Sequence, residues 1–248
     1  MVVVIVQARM GSTRLPGKVL LPVGGRPLLS YQLERLRNCR RADRIVVATS
    51  DLPADDAIAA FCERESTAAV RGPELDVLAR FALAAQGSGA DTVVRVTADC
   101  PLLEPALVDQ AIKAFSAGDC DYLSNMQPPS WPYGMAVEVM TRRALDEAAA
   151  EARDPAEREH VTPFLYWRPE RYRLRSITRD PDLSAQRWTV DTPADFDLVS
   201  RILGALYPVR PDFTIDDVLG LLQLHPDWIE INRHVEQKTV AASNEETR

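Results

Sequence analysis

Histidine is scarce in this chain: there are three in 248 residues. His160, His225 and His234 stand far apart and share no metal-ligand spacing, which argues against a zinc centre. Cysteine is nearly as rare. Cys39, Cys62, Cys100 and Cys120 form no C-x-x-C pair. A chain this long and rich in apolar residues needs no disulfide framework, so the four are expected to be reduced packing thiols. Long apolar runs are absent, and those present are far too short to span a bilayer. The N-terminus has no basic stretch followed by an extended apolar segment and a cleavage site. A signal peptide is therefore not expected, and a cytoplasmic location is. Basic residues are outnumbered: 29 Lys and Arg against 36 Asp and Glu leave a formal net charge of -7. That balance argues against general affinity for nucleic acid or an anionic membrane, and any basic cluster becomes a local site. Internal repeats and low-complexity linkers are missing too. The composition fits one α/β domain better than two.

What is present begins at once. Val2-Val3-Val4-Ile5-Val6 is a continuous apolar run, as expected of a strand covered on both faces in a parallel sheet. It leads into Gln7-Ala8-Arg9-Met10-Gly11-Ser12-Thr13-Arg14-Leu15-Pro16-Gly17-Lys18. Ligands of open α/β sheets sit outside the carboxyl ends of the strands, so this loop is placed to hold an anion. It is not a Walker A loop, which reads G-x-x-x-x-G-K-[ST]. Gly11 and Gly17 are one residue too far apart, Val19 stands where a hydroxyl is required, and Pro16 removes an N–H. Guanidinium forks and an ammonium remain to neutralise phosphate oxygens.

Strand-like and helix-like runs then alternate. Strands are expected at Ile45–Thr49, Ala69–Arg71 and Thr92–Thr97, and helices at Leu28–Arg37, Asp55–Glu65, Val77–Gln86 and Pro105–Ala117. The pattern changes after Tyr122. Residues Gln127–Gly134, dense in proline and aromatics, suggest a loop or arm. Beyond it, strands are expected at Ala136–Met140, Tyr172–Ile177 and Arg187–Val190. Helices are expected at Arg142–Ala152, Pro193–Leu206 and Thr214–Leu222, with a short one over Asp227–His234. Residues 1–237 form a single domain in this scheme, with an inserted arm over about 125–180 and a disordered tail at 238–248.

Two aspartates stand where strands end: Asp99 in Thr97-Ala98-Asp99-Cys100-Pro101-Leu102 and Asp191 in Trp188-Thr189-Val190-Asp191-Thr192-Pro193. Each could simply cap a helix. As a pair beside a cationic loop they are natural ligands for Mg²⁺, which prefers a few carboxylates plus water and phosphate oxygens.

The loop motif resembles the signature of the cytidylyltransferases that make CMP-activated acidic sugars, and is closest to the group of the spore coat polysaccharide biosynthesis protein F. Further matches follow in order: Arg71-Gly72 with Asp76-Val77-Leu78-Ala79-Arg80-Phe81, the Asp99 motif, Glu157-Arg158-Glu159-His160-Val161-Thr162-Pro163, and the Asp191 motif through Phe196. The resemblance implies a Rossmann-like, GT-A-like three-layer nucleotidyltransferase sandwich. Its sheet would be mixed and mostly parallel, with an inserted dimerisation arm. It implies a Mg²⁺-dependent transfer of CMP from CTP to a small acidic sugar or sugar-like acid, with release of pyrophosphate, by a homodimer. Arg9, Arg14 and Lys18 match the triphosphate positions, and Asp99 and Asp191 the metal positions; Arg14, Lys18, Asp99 and Asp191 form the catalytic set. Ala8, Gly11, Ser12, Thr49, Ser50, Asp51, Arg71 and Gly72 complete the nucleotide site.

Tyr133, Gly134, Glu138 and His160 are the acceptor candidates, with His160 reaching in from a partner subunit. Here the pattern departs from the family. Pro132-Tyr133-Gly134-Met135-Ala136-Val137-Glu138-Val139 carries Ala136 where relatives have an aspartate. Trp131, Tyr133 and Met135 either line a more apolar acceptor pocket or pack the arm. Two other functions are compatible with the residues: a glycosyltransferase using a nucleotide-sugar, and a non-catalytic nucleotide-binding subunit.

Overall fold

The computed structural model describes residues 1–237. The expected tail at 238–248 lies outside the described residues. Val3, Val4, Ile5 and Val6 are fully buried in β1 (Val2–Gln7), which runs through the middle of a seven-stranded sheet. Their continuous apolar run is what a strand covered on both faces requires. A short ribbon, β2 (Pro22–Val23) and β3 (Arg26–Pro27), precedes α1 (Leu28–Arg37). The chain then alternates through β4 (Arg44–Ser50), α2 (Asp56–Arg64), β5 (Ala68–Gly72), α3 (Val77–Ser88), β6 (Thr92–Thr97) and α4 (Pro105–Ser116). The second half supplies β7 (Tyr122–Ser124), β8 (Glu138–Thr141), α5 (Arg142–Glu151), α6 (Pro155–His160), α7 (Pro163–Tyr166) and β9 (Leu174–Ser176). It closes with α8 (Pro193–Leu206), α9 (Ile215–Leu224) and α10 (Pro226–Ile229).

The strand order is β5-β4-β1-β6-β8-β7-β9, with β8 antiparallel to both of its neighbours and the other pairings parallel. Val4 and Val6 pack with α1, α4, α8 and α9, while Val3 and Ile5 pack with α3, α5 and α7. The result is the expected three-layer, mostly parallel mixed sandwich.

Two expectations need correction. Arg187–Val190 is not a strand. Its backbone groups are spent elsewhere: Trp188 N–H donates to the Tyr133 carbonyl at 2.6 Å and Val190 N–H to the Asp99 carbonyl at 2.8 Å. The segment expected as an inserted arm, about 125–180, is largely integral to the body. It contributes β8, α5, α6, α7 and β9, and its longest irregular stretch is the one before β8. That stretch folds inward, with Trp131 and Met135 buried in the core, so these two side chains pack the body. Gly134 explains its approach. It adopts φ +111°, and a Cβ there would stand 2.5 Å from the Thr189 nitrogen.

Asp121 locks the far edge of the sheet. Its buried carboxylate accepts from Arg143 Nη2 at 2.6 Å and from the backbone N–H and Nε of Arg173 at 3.0 and 3.1 Å. The Arg173 hydrogen bonds, with help from Arg143, hold its pKa down from 3.8 to about 2. A folded pKa below the unfolded one stabilises the protein above about pH 4, and that stability is lost as pH falls through about 2. Both guanidinium partners are half-exposed, so screening limits the effect to about 1–2 kcal/mol. Asp121→Asn should lower the unfolding free energy by that amount at pH 7 in urea titrations. The gap to wild type should shrink below pH 4; a constant gap down to pH 2 would show that the charge is not its source.

Candidate active site

The C-terminal ends of β1 and β6 open into a cavity of about 520 Å³, within the usual range for small-molecule sites. Loops after these strands form its mouth. The residues before β8, α6, α7 and the segment at Thr189–Asp191 form its walls.

The mouth is charged. After β1 the chain turns on itself, with Ser12 N–H and Gly17 N–H both donating to the Met10 carbonyl, at 2.8 and 3.0 Å. Gly17 takes φ +69°, a left-handed conformation that suits glycine, and Lys18 starts a 3₁₀ turn through Leu20. This aims the Lys18 side chain inward. Its Nζ lies 2.7 Å from Asp99 Oδ2 and 2.7 Å from Asp191 Oδ1. Arg14 Nη2 is 3.1 Å from Asp191 Oδ2, and Arg187 Nη2 is 2.9 Å from the same oxygen. Burial alone would raise the Asp191 carboxyl, but Lys18, Arg187 and Arg14 outweigh it and hold the group below its ordinary value. Burial likewise opposes charge on Lys18, yet Asp99 and Asp191 push the ammonium above its ordinary value. Lys18 and Asp191 therefore stay ionised near neutral pH.

Each aspartate is fixed from behind. Thr97 Oγ1 donates to Asp99 Oδ1 at 2.5 Å. Asp195 is fully buried at the start of α8. It accepts from Arg187 Nε at 2.9 Å, from the backbone N–H groups of Asp191 and Thr192 at 3.0 Å each, and from Asn232 Nδ2 at 2.8 Å.

The inner end of the cavity is polar but charge-balanced. Arg95 pairs with Glu138 Oε2 and donates from Nη2 to Gln7 Oε1 at 3.0 Å. His160 lies here in the wall of its own chain's cavity. Its side chain therefore does not have to come from a partner subunit, contrary to expectation. Burial, with Arg95 and Arg9 nearby, lowers the His160 pKa from 6.5, so the imidazole is neutral at pH 7. Tyr133 lines the cavity, and burial raises its phenol well above its ordinary value.

Arg9, Ser12, Arg14, Lys18, Asp99, Tyr133, Gly134, Glu138, His160 and Asp191 are thus brought to one cavity. Ala8, Gly11, Thr49, Ser50, Asp51, Arg71 and Gly72 are not among its lining residues. Thr49, Ser50, Asp51, Arg71 and Gly72 sit at and just beyond the ends of β4 and β5. Thr49 Oγ1 and Ser50 Oγ donate to Asp55 Oδ2 at 3.1 and 2.5 Å. Arg71 pairs with Asp56 at 2.6 Å. Asp55 also accepts Met10 N–H at 2.7 Å, so it ties the cationic loop to the end of β4. Sequence reasoning missed this function for Asp55, which it had placed only at a helix start, and it missed Arg95. The available signal for Arg95 was a lone charge inside the otherwise apolar or hydroxyl-bearing run Thr92–Thr97.

Among the described residues, no group of three or more His, Cys, Asp or Glu side chains could hold a metal ion. Asp99 and Asp191 still fit one. Two carboxylates converge on a single cation, here the Lys18 ammonium, and a hard ion that keeps water and phosphate oxygens needs few protein ligands. No described helix is long and apolar enough to cross a membrane.

A family model described as cytidylyltransferase matches residues 3–224. The chain is 34% identical to the spore coat polysaccharide biosynthesis protein SpsF of Bacillus subtilis, over 90% of this chain and 94% of that protein. It is 38% identical to the 3-deoxy-manno-octulosonate cytidylyltransferase of Geobacter sulfurreducens over 44% of this chain and 42% of that one. Its structure is similar to that of a cytidylyltransferase from Leptospira borgpetersenii, with TM-score 0.88 and 28% identity, covering 96% of this chain and 98% of the other.

Proposed function

This chain belongs to the cytidylyltransferase family, and from that premise we propose that it transfers CMP from CTP to a small acidic sugar or sugar-like acid with Mg²⁺, releasing pyrophosphate. The observation that carries the proposal is the convergence of Asp99 and Asp191 on one cation beside the loop of Arg9, Arg14 and Lys18. The relatives named for spore coat polysaccharide and 3-deoxy-manno-octulosonate support an acceptor of the sugar-acid class and a role in surface polysaccharide synthesis.

The chain's residues would act mainly by positioning and charge neutralisation. Arg9, Arg14 and Lys18 hold the triphosphate. The nucleoside would lie beside it, just outside the cavity lining, against the chain at Ala8 and Gly11 and the ends of β4 and β5 at Thr49–Asp51 and Arg71–Gly72. An acceptor hydroxyl oxygen attacks the α-phosphorus as the bond to the β-phosphate oxygen breaks, and the hydroxyl proton passes to water. Arg14 and Lys18 stabilise the charge growing on pyrophosphate. Asp99 and Asp191 would hold Mg²⁺, which when bound supplies Lewis-acid polarisation of the α-phosphate. Homodimerisation and a cytoplasmic location, where CTP is made, belong to the same proposal.

Incubation with CTP, Mg²⁺ and a panel of acidic sugars should release pyrophosphate at a kcat on the order of 10 s⁻¹ with the right acceptor. Sugar transfer from a nucleotide-sugar without pyrophosphate would identify a glycosyltransferase instead. CTP binding with no turnover of any acceptor would leave a nucleotide-binding subunit.

A further inference from the structure

Three polar side chains face one another across the inner end of the cavity. In the sheet register Arg95 of β6 lies opposite Glu138 of β8, and Glu138 lies opposite Ser124 of β7. Directly opposite residues share a face of the sheet. All three line the cavity, as do Gln7, Tyr122 and Thr162. Arg95 is two strand residues, about 7 Å, further into the sheet than Thr97, which holds Asp99. This end is therefore remote from the atoms that react at the mouth.

Its chemistry is unlike that of the mouth. A free guanidinium would take a carboxylate in a bidentate grip. Here Glu138 already occupies Arg95 through Oε2. Glu138 Oε1 accepts from Tyr122 Oη at 2.5 Å and Thr162 Oγ1 at 2.6 Å, so the carboxylate is already held through both oxygens. An incoming carboxylate would meet Glu138 as a like charge. A neutral hydroxyl or amide would meet donors on Arg95 and Gln7 and lone pairs on Ser124, Tyr122 and Thr162. We infer that the Arg95–Glu138 rung is the distal wall of the acceptor subsite and reads neutral hydroxyl or amide groups of the acceptor, leaving its carboxylate to the cationic mouth. This rests on the nucleotidyl-transfer function proposed above. Arg95 thereby becomes a specificity-determining residue: sites built to bond a substrate hydroxyl discriminate strongly against analogues that lack it.

The two ways of using Arg95 predict opposite signs for Glu138→Gln. If Arg95 grips a carboxylate, removing the charge on Glu138 frees it and tightens binding. If the pair reads hydroxyls, the same change weakens binding. The test uses the full chain loaded with CTP and Mg²⁺ and two probes, 3-deoxy-manno-octulosonate and N-acetylneuraminate. Affinity is read by saturation-transfer NMR and turnover by pyrophosphate release. For the acid that binds, Glu138→Gln should weaken binding at least fivefold and Arg95→Met at least tenfold. Arg95→Lys, which keeps the ion pair and the fold but loses the planar fork, should fall between wild type and Arg95→Met. Affinity for CTP should stay within twofold throughout. Tighter or unchanged binding in Glu138→Gln would overturn the inference, as would binding of neither acid by the wild type. Binding of an acid and of CTP with no pyrophosphate released would instead sink the transfer reaction and leave the subsite standing.

Discussion

Asp191→Asn should reduce pyrophosphate release by roughly 10³-fold or more, the upper scale for deleting one preorganised charge at a reacting centre. The substitution keeps the shape of the side chain and removes one charge from a balanced set. In the wild type, Lys18, Arg14 and Arg187 all converge on Asp191. The loss of this carboxylate leaves three cations with Asp99 and Asp195 as their remaining acidic partners, and one of the two candidate metal ligands is gone. CTP should still bind, because Arg9, Arg14 and Lys18 remain and the field they feel is more positive. The expected signature is therefore a collapse in kcat with nucleotide affinity retained or improved. Asp195→Asn is the contrasting variant. Asp195 acts on the site through Arg187, the Asp191 and Thr192 backbone and Asn232, so its loss should cost stability and a smaller factor in rate. Retained turnover in Asp191→Asn would remove this residue from the metal role.

Much of this arrangement was legible because it is written locally. The uninterrupted run Val2–Val6 signals a strand covered on both faces, and a cationic loop directly after it signals an anion site. Asp99 and Asp191 could be marked because each ends a short β-branched or aromatic run ahead of a proline. Their meeting could not be read. Lys18 lies 81 and 173 positions from them along the chain; the pairing of β1 with β6 brings it to Asp99, and the Val190 backbone bond to Asp99 brings Asp191 to both. Arg95 was missed for a related reason. Its partners Gln7 and Glu138 sit on β1 and β8, and nothing in Thr92–Thr97 alone reveals which neighbours it will face. The false strand at Arg187–Val190 shows the reverse error. Trp188, Thr189 and Val190 have the residue types of a strand, but their backbone bonds go to Tyr133 and Asp99, which is how Asp191 comes to face Lys18. β7 was missed because three residues carry too little periodicity to be seen. The arm was overdrawn for want of one fact: that Trp131 and Met135 point into the core.

Lys18→Met should make the protein bind a divalent cation better without nucleotide and turn over far worse with it. In the wild type the buried ammonium bonds both carboxylates at 2.7 Å and so stands where a metal ion would have to bridge them. A free cation must displace a well-matched ion pair at that position. A nucleotide changes the balance, because its phosphates attract Lys18 away from the carboxylates while bringing further oxygen ligands for the metal. The side chain thus links metal entry to nucleotide entry. Methionine fills similar volume without the charge and leaves Asp99 and Asp191 facing each other, with Arg14 and Arg187 still beside Asp191. Mn²⁺ titrated into the nucleotide-free variant, followed by electron paramagnetic resonance, should bind at least tenfold more tightly than to wild type, a difference of about 1.4 kcal/mol. The same ion should raise the variant's Tm more than the wild type's, since it relieves two partly buried like charges. Turnover with CTP and acceptor should fall by roughly 10²–10³-fold, because no ammonium then stabilises the leaving pyrophosphate. The opposite movement of metal affinity and rate is the diagnostic, since a merely damaged fold would lower both. Unchanged or weaker Mn²⁺ binding in Lys18→Met would mean that the ammonium and the metal do not share a position.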